Sequence, residues 1–315
     1  MDFWISFANF FASAIRLTAP IALGTLACTI SERAGVINIG IEGSMLFSGF
    51  LAAVGSYYTG SPWVGLLCGC AAGAFLALIL GVLAIYCNGQ QIVIGIGLNL
   101  FGPGFAYMMM RALWDTTGIS PWVEGFQAVN IPLLSRIPIA GTMLSGYPAC
   151  IYLGLLAVAV MQYLLRRTAW GLRIRAVGEN PNTADAAGIN VTKYKYVATC
   201  AGSMIAGLGG LYYVMDYACG VWSNNGFGDR GWLAIALVIF TVWRPNIGVF
   251  ASFLFGGLYI LHMFIPSGMN LAVKELYKML PYVITILVLV IVSMQKKREN
   301  DPPASLGLSY FREER

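Results

Sequence analysis

The sequence predicts an all-α, polytopic integral membrane protein that crosses a bilayer about nine or ten times, with at least one short or broken helix. Three observations carry this. Of 315 residues, 58% are hydrophobic and only 10% are charged, whereas soluble globular chains are about 25% charged. The mean hydropathy is +0.73, more apolar surface than one core can hide. The apolar residues also come in runs of roughly 20, the length that crosses a hydrocarbon core about 30 Å thick.

The opening "MDFWISFANFFASAIRLTAP" lacks a basic n-region and an A-x-A-like cleavage site, so it reads as a first segment and not a signal peptide. Residues 2–16 suit a further span or an interfacial helix with its aromatics at the lipid boundary. Residues 17–30 form a short apolar run, reaching only about 21 Å at helical rise. Full spans follow at 36–58, 64–87, 91–112, 148–165, 196–216, 247–265 and 279–295, with a second short run at 231–243. Pro103 should kink the 91–112 span. Gly65, Gly69, Gly73, Ala77 and Gly81 line one helical stripe, and Gly202, Ala206 and Gly210 another; both favour close helix packing inside the subunit.

Orientation comes from Lys and Arg. The 166–195 connection holds Arg166, Arg167, Arg173, Arg175, Lys193 and Lys195, and the tail opens "QKKREN". Both are short and basic, so both are expected in the cytoplasm. Residues 1–295 then form one transmembrane domain, 166–195 a cytoplasmic loop and 296–315 a cytoplasmic tail. The loops 113–147, 217–230 and 266–278 face outward. All eight tryptophans fall near segment ends or in loops, as an aromatic belt would require.

The densest polar cluster, "SERAGVINIGIEG" at 31–43, stands between apolar runs. Its glycines and β-branched residues weaken helix formation. Irregular backbone at membrane depth survives only where protein or a water-filled cavity satisfies it. Glu42 lies deep in the following run, and an intramembrane carboxylate is a functional candidate by default. Glu32 and Arg33 fit either a headgroup-level loop cap or a shaped pathway. The "WRPNIG" break after 231–243 loosely parallels this one, hinting at an internal repeat with a site between the halves. Asn99, in "IGIGLNLFGPG", suits either a solute contact or an interhelical hydrogen bond, and Asn88, Gln90 and Gln91 are further polar candidates.

Several chemistries are excluded. There is no G-x-x-x-x-G-K-[ST], so the chain has no Walker A loop of its own, and a lone histidine, His262, rules out H-E-x-x-H. G-x-S-x-G is also absent. The seven cysteines lack metal-ligand spacing and read as small apolar residues. No catalytic residue, metal or cofactor is expected, and the net charge of +5 sits at segment ends, not in a nucleic-acid-binding patch.

Three blocks carry a resemblance. "SERAGVINIGIEGSML" at 31–46, "GLRIRAVGENPNTADAAGINVTKYK" at 171–195 and "DRGWLAIALVIFTVWRP" at 229–245 resemble signatures of permease subunits of bacterial ABC importers serving simple sugars, nucleosides and branched-chain amino acids. Asp229 and Thr241 depart from the glycines usual in the nucleoside-type branch. The resemblance covers nearly the whole chain, including the "IPLLSRIPIAG" loop. It implies a type II-like importer permease in the inner membrane, most like the shorter member of a nucleoside-type pair. It also implies an ABC ATPase, a second, homologous permease subunit and an extracytoplasmic solute-binding protein as partners.

Residues 171–195 suit ATPase docking. Gly171 releases the incoming helix; Asn180 N-caps a short helix with Pro181 in its first turn; Gly188 ends it. The expected coupling residues are Arg173, Arg175, Gly178, Asn180, Ala184, Ala187 and Gly188. The expected pathway residues are Glu32, Asn38, Glu42, Asn99, Asp229 and Arg230. The leading function is a gated pathway for a nucleoside or small sugar, driven by a partner's ATP hydrolysis. The alternative is an ion-coupled secondary transporter using Glu42 and Asp216.

Overall fold

The architecture comes from a computed structural model. It describes residues 2–116, 118–130, 143, 145–223, 226–261, 264, 270–294 and 301–311. The helices in order are α1 (Asp2–Arg33), α2 (Ile41–Thr59), α3 (Pro62–Gly81), α4 (Gln91–Trp114), α5 (Ala149–Arg167), α6 (Ala169–Glu179), α7 (Pro181–Ala186), α8 (Val191–Tyr212), α9 (Arg230–Phe240), α10 (Pro245–Leu261) and α11 (Leu271–Met294). Single π turns, Val82–Tyr86 and Tyr213–Tyr217, prolong α3 and α8. A two-residue ladder, β1 (Ala128–Val129) with β2 (Tyr147–Pro148), is antiparallel. Helix dominates because hydrocarbon offers backbone N–H and C=O groups no other partner.

Five segments are long and apolar enough to cross a membrane: Ile5–Arg33, Pro62–Tyr86, Gln91–Trp114, Ala149–Arg167 and Val191–Tyr217. The apolar helices α9 and α10 are shorter. With α2 and α11, nine helical segments of membrane character stand among the described residues.

The expected division of residues 2–30 is corrected. They belong to one 32-residue helix with Pro20 inside it. Ala14, Leu17 and Ile21 are almost fully buried, so packing overrides the local breaker. The break falls later, over residues 34–40. The 266–278 loop is shorter than expected, because α11 begins at Leu271.

The small-residue stripes pack within the chain. A Cβ on Gly73 would strike the Ser203 backbone, one on Gly202 the Ala27 carbonyl, and one on Gly210 the Met45 carbonyl. α8 thereby sits at the centre, against α1, α2 and α3. Two tryptophans leave the expected belt. Trp222 is 1% exposed, stacks edge-on against Phe50 and donates its indole N–H to the Leu46 carbonyl at 3.1 Å. Trp243 is likewise buried.

The two ends of the bundle differ. At one end, residues 118–130 fold back on 220–223, with Ser120 donating to the Trp222 carbonyl and Val123 to the Gly220 carbonyl, both at 2.9 Å. At the other lie α6, α7 and the C-terminal residues. Ser305 N–H donates to the Gly178 carbonyl at 3.0 Å and Gly307 N–H to the Gly35 carbonyl at 3.2 Å. This part of the expected tail is folded onto the bundle. The "QKKREN" run, the 131–141 loop and His262 lie outside the described residues.

Candidate functional site

The site is built around α9. At 11 residues it is only about 16 Å long, so it spans about half a hydrocarbon core. Each end leaves backbone groups without intrahelical partners. Asp229, the residue before it, sits at φ 57° and supplies no side-chain cap. Glu42 does so from α2: its Oε2 accepts the Gly231 N–H at 2.5 Å. Negative charge at a helix N-terminus is favourable. Only glycine fits at 231, because a Cβ there would overlap the Glu42 backbone.

The other end of α9 turns through Val242 and Trp243, both in the left-handed region at φ 54° and 52°, a costly geometry for a β-branched residue. The end of α1 holds it. Arg33 Nε donates to the Trp243 carbonyl at 3.1 Å and Arg33 Nη2 to the Val242 carbonyl at 3.2 Å. The Trp243 indole N–H donates to Glu32 Oε2. The polar stretch 31–43 therefore grips the half-helix at both ends. The two breaks noted in the sequence meet each other here.

Asn99 caps α2 from α4. Its Oδ1 accepts the Gly43 N–H at 2.7 Å and its Nδ2 donates to the Ile39 carbonyl at 3.0 Å. Gln91 Oε1 accepts the Ile37 N–H at 2.7 Å. Asn38 is buried; its Nδ2 donates to Ser203 Oγ at 3.2 Å, while its Oδ1 has no partner. Asn88 and Gln90 lie in the turn between α3 and α4.

A cavity of about 530 Å³ opens beside the first turn of α9, between α1, α10 and α11. Asp229, Arg230, Trp232, Tyr259 and Thr285 supply its polar and aromatic wall; Leu17, Ile21 and Phe255 are apolar. Of the six expected pathway residues, Asp229 and Arg230 line it. Glu42 stands one hydrogen bond behind it, and Glu32, Asn38 and Asn99 are elsewhere. Arg230 is held in place: its guanidinium lies 4.8 Å from the Tyr213 ring centroid and 5.3 Å from that of Tyr217, and Nη1 donates to the carbonyls of Phe227 and Gly226. Sequence reasoning missed Trp232 and Tyr259. Trp232 follows the Arg-Gly pair directly, which was a usable signal; Tyr259 carried none.

The helical pair at the basic end follows its caps closely. Asn180 Oδ1 accepts the Thr183 N–H at 3.0 Å, with Pro181 in the first turn, and Gly188 closes α7 at φ 80°. The incoming helix ends at Thr168, not at Gly171, which lies within α6; Thr168 Oγ1 caps α6 by accepting the Gly171 N–H at 3.2 Å. Ala187 and Gly188 are exposed, whereas Ala184 is buried with Val177 and Val191. Gly178 packs on the Arg33 carbonyl and the Gly35 backbone. Arg173 is exposed and bonds the Tyr194 hydroxyl at 2.9 Å, while Arg175 faces a cavity lined by other arginines.

A family model described as branched-chain amino acid transport system / permease component matches residues 10–289. The guanosine ABC transporter permease protein NupQ of Bacillus subtilis is 32% identical over 86% of this chain and 88% of its own length. The nucleoside ABC transporter permease protein NupC of Lactococcus lactis subsp. cremoris is 30% identical, over 88% and 90%. TsgC13 of Haloferax volcanii, an ABC transporter permease protein provisionally assigned to glucose, is 33% identical, over 81% and 77%.

Proposed function

Because this chain belongs to the branched-chain amino acid transport system permease family, and is a multi-pass permease subunit of an ABC importer, we propose that its solute is a nucleoside. It works in the cytoplasmic membrane beside a homologous second permease, with an extracytoplasmic binding protein delivering solute and an ABC ATPase supplying energy. The ion-coupled alternative is set aside, since NupQ and NupC resemble this chain along almost its entire length.

One observation carries the mechanism: the exposed helical pair α6–α7 is packed directly onto the stretch that grips α9. The ATPase engages Ala187 and Gly188. Its motion passes along α6 to Gly178, which rests on the Arg33 carbonyl. From Arg33 and Glu32 it reaches the Val242–Trp243 turn, and so α9 and the cavity at its far end. The chain contributes the two states whose relative stability the partner shifts. In the cavity, Trp232 and Tyr259 offer faces for a base, and Asp229 offers acceptors for ribose hydroxyls. The volume lies in the range of small-molecule sites, about 300–1,000 Å³. A small sugar is the second reading, favoured by the likeness to TsgC13.

The test is uptake into proteoliposomes holding the chain with its companion permease, ATPase and binding protein. ATP-driven uptake of labelled guanosine or uridine, abolished by a Walker A-dead ATPase, is expected. Competition by glucose alone would move the assignment to sugars. Uptake driven by an ion gradient without ATP would overturn the importer mechanism.

A further inference from the structure

Five arginines converge on one cavity of about 600 Å³ at the basic end of the bundle. Arg33 comes from α1, Arg166 and Arg167 from the last turn of α5, Arg175 from α6, and Arg244 from the turn before α10. Among the described residues no acidic side chain lines it, although Glu179, outside the cavity, lies close enough to act on Arg33. Arg33 spends two donors on the Val242 and Trp243 carbonyls, leaving others of the five that a guanidinium carries. Arg166 faces the neutral amide of Gln162, in the orientation that satisfies both groups. Arg175 Nε is buried without a partner. So much like charge in one cavity is costly without an anion, and planar guanidinium groups match phosphate oxygens.

A second cavity continues the same seam. An almost wholly apolar groove of about 500 Å³ runs between α1, α5 and α10, past Ala22, Leu23, Gly154, Val158, Val249 and Phe250. Val158 lies two turns from Arg166 along α5, about 12 Å. Val249 lies just over one turn from Arg244. A cationic cavity at the end of the same α1–α5–α10 seam that carries an acyl-sized apolar groove further along matches one amphiphile. We propose that this seam binds an anionic phospholipid, with its phosphodiester among the arginines and an acyl chain along the groove. Basic pockets between membrane helices take anionic headgroups in this way. The bound phosphate would brace α6, through Arg175, against the ends of α1 and α5.

Native mass spectrometry of the assembled importer, released from nanodiscs, tests this. One arm contains phosphatidylcholine alone, a second adds phosphatidylglycerol, and a third adds inorganic phosphate to phosphatidylcholine. Phosphatidylglycerol is expected to stay bound in preference to phosphatidylcholine, with inorganic phosphate leaving no adduct. R166Q and R167Q should each lower retention about fivefold, while R166K keeps most of it. V158W should lower it by filling the groove. Equal retention of the two lipids by the unaltered chain would overturn the proposal, a result that needs no variant to fold. A phosphate adduct with no lipid preference would make the site one for free phosphate, and would equally overturn it. So would loss of ATPase co-purification in R166Q/R167Q with lipid retention unchanged.

Discussion

Glu42 and Asn99 are hydrogen-bonding caps supplied by one helix to the end of another. Glu42→Gln keeps an oxygen for the Gly231 N–H and should cost less than the loss of a cap, which is about 1 kcal/mol. Glu42→Leu leaves that N–H unsatisfied in a dry site and should cost about 1–3 kcal/mol, with uptake lost. Thermal unfolding in detergent, alongside uptake, reads both. A Glu42→Leu protein with unaltered melting and uptake would show that the cap is unimportant. Asn99→Asp should retain the acceptor for Gly43 and lose the donor to Ile39; Asn99→Leu should lose both and melt lower still. Residue roles differed in how readable they were. Asn180, Pro181 and Gly188 were legible because a cap's chemistry lies within four residues of the helix it ends. Glu42 and Gly231 are separated by 189 positions; the sequence marks the carboxylate as unusual but not what it touches.

At the scale of elements, α9 and the α6–α7 pair make distinct predictions. Trp243→Phe removes the donor to buried Glu32, and Glu32→Gln alters the acceptor. If they act as one clasp, the double variant should be less damaged than the sum of the singles, by about 0.5–3 kcal/mol. Simple additivity in unfolding measurements would separate them. At the tip, a Cβ on Gly188 would meet nothing within 4 Å, and Ala187 is exposed. Ala187→Glu should therefore leave melting unchanged, so lost uptake with persisting ATPase activity would report a contact with another subunit. Intact uptake would refute docking there. Most helices were legible as apolar runs. The single long α1 was not, because Arg16 and Pro20 look like punctuation. Their context is supplied by distant segments: the Arg16 carbonyl accepts the Tyr212 hydroxyl, and its guanidinium lies over Tyr147.

Across the whole molecule, the C-terminal residues return to the segment that links the tip to α9. Ser305 bonds Gly178 through both its N–H and its hydroxyl, at 3.0 and 2.5 Å, and Lys195 Nζ reaches the Leu308 carbonyl at 3.4 Å. Ending the chain after residue 300 should cost about 1–3 kcal/mol for these bonds and lower uptake per ATP hydrolysed. A truncated protein with normal coupling would make the segment a passive cover. Nothing in "PPASLGLSY" announces this, since polar residues after a last span look like an ordinary tail. Finally, α9 is a strut pinned at both ends by one bracket, residues 31–43. Sliding along its own axis would break both pins at once, whereas swivelling with the bracket breaks neither. Spin labels at Ile239 and Tyr58 should hold their separation through the transport cycle, while a pair at Ile239 and Ile286 should change it. The door, on this geometry, is hinged and not sliding.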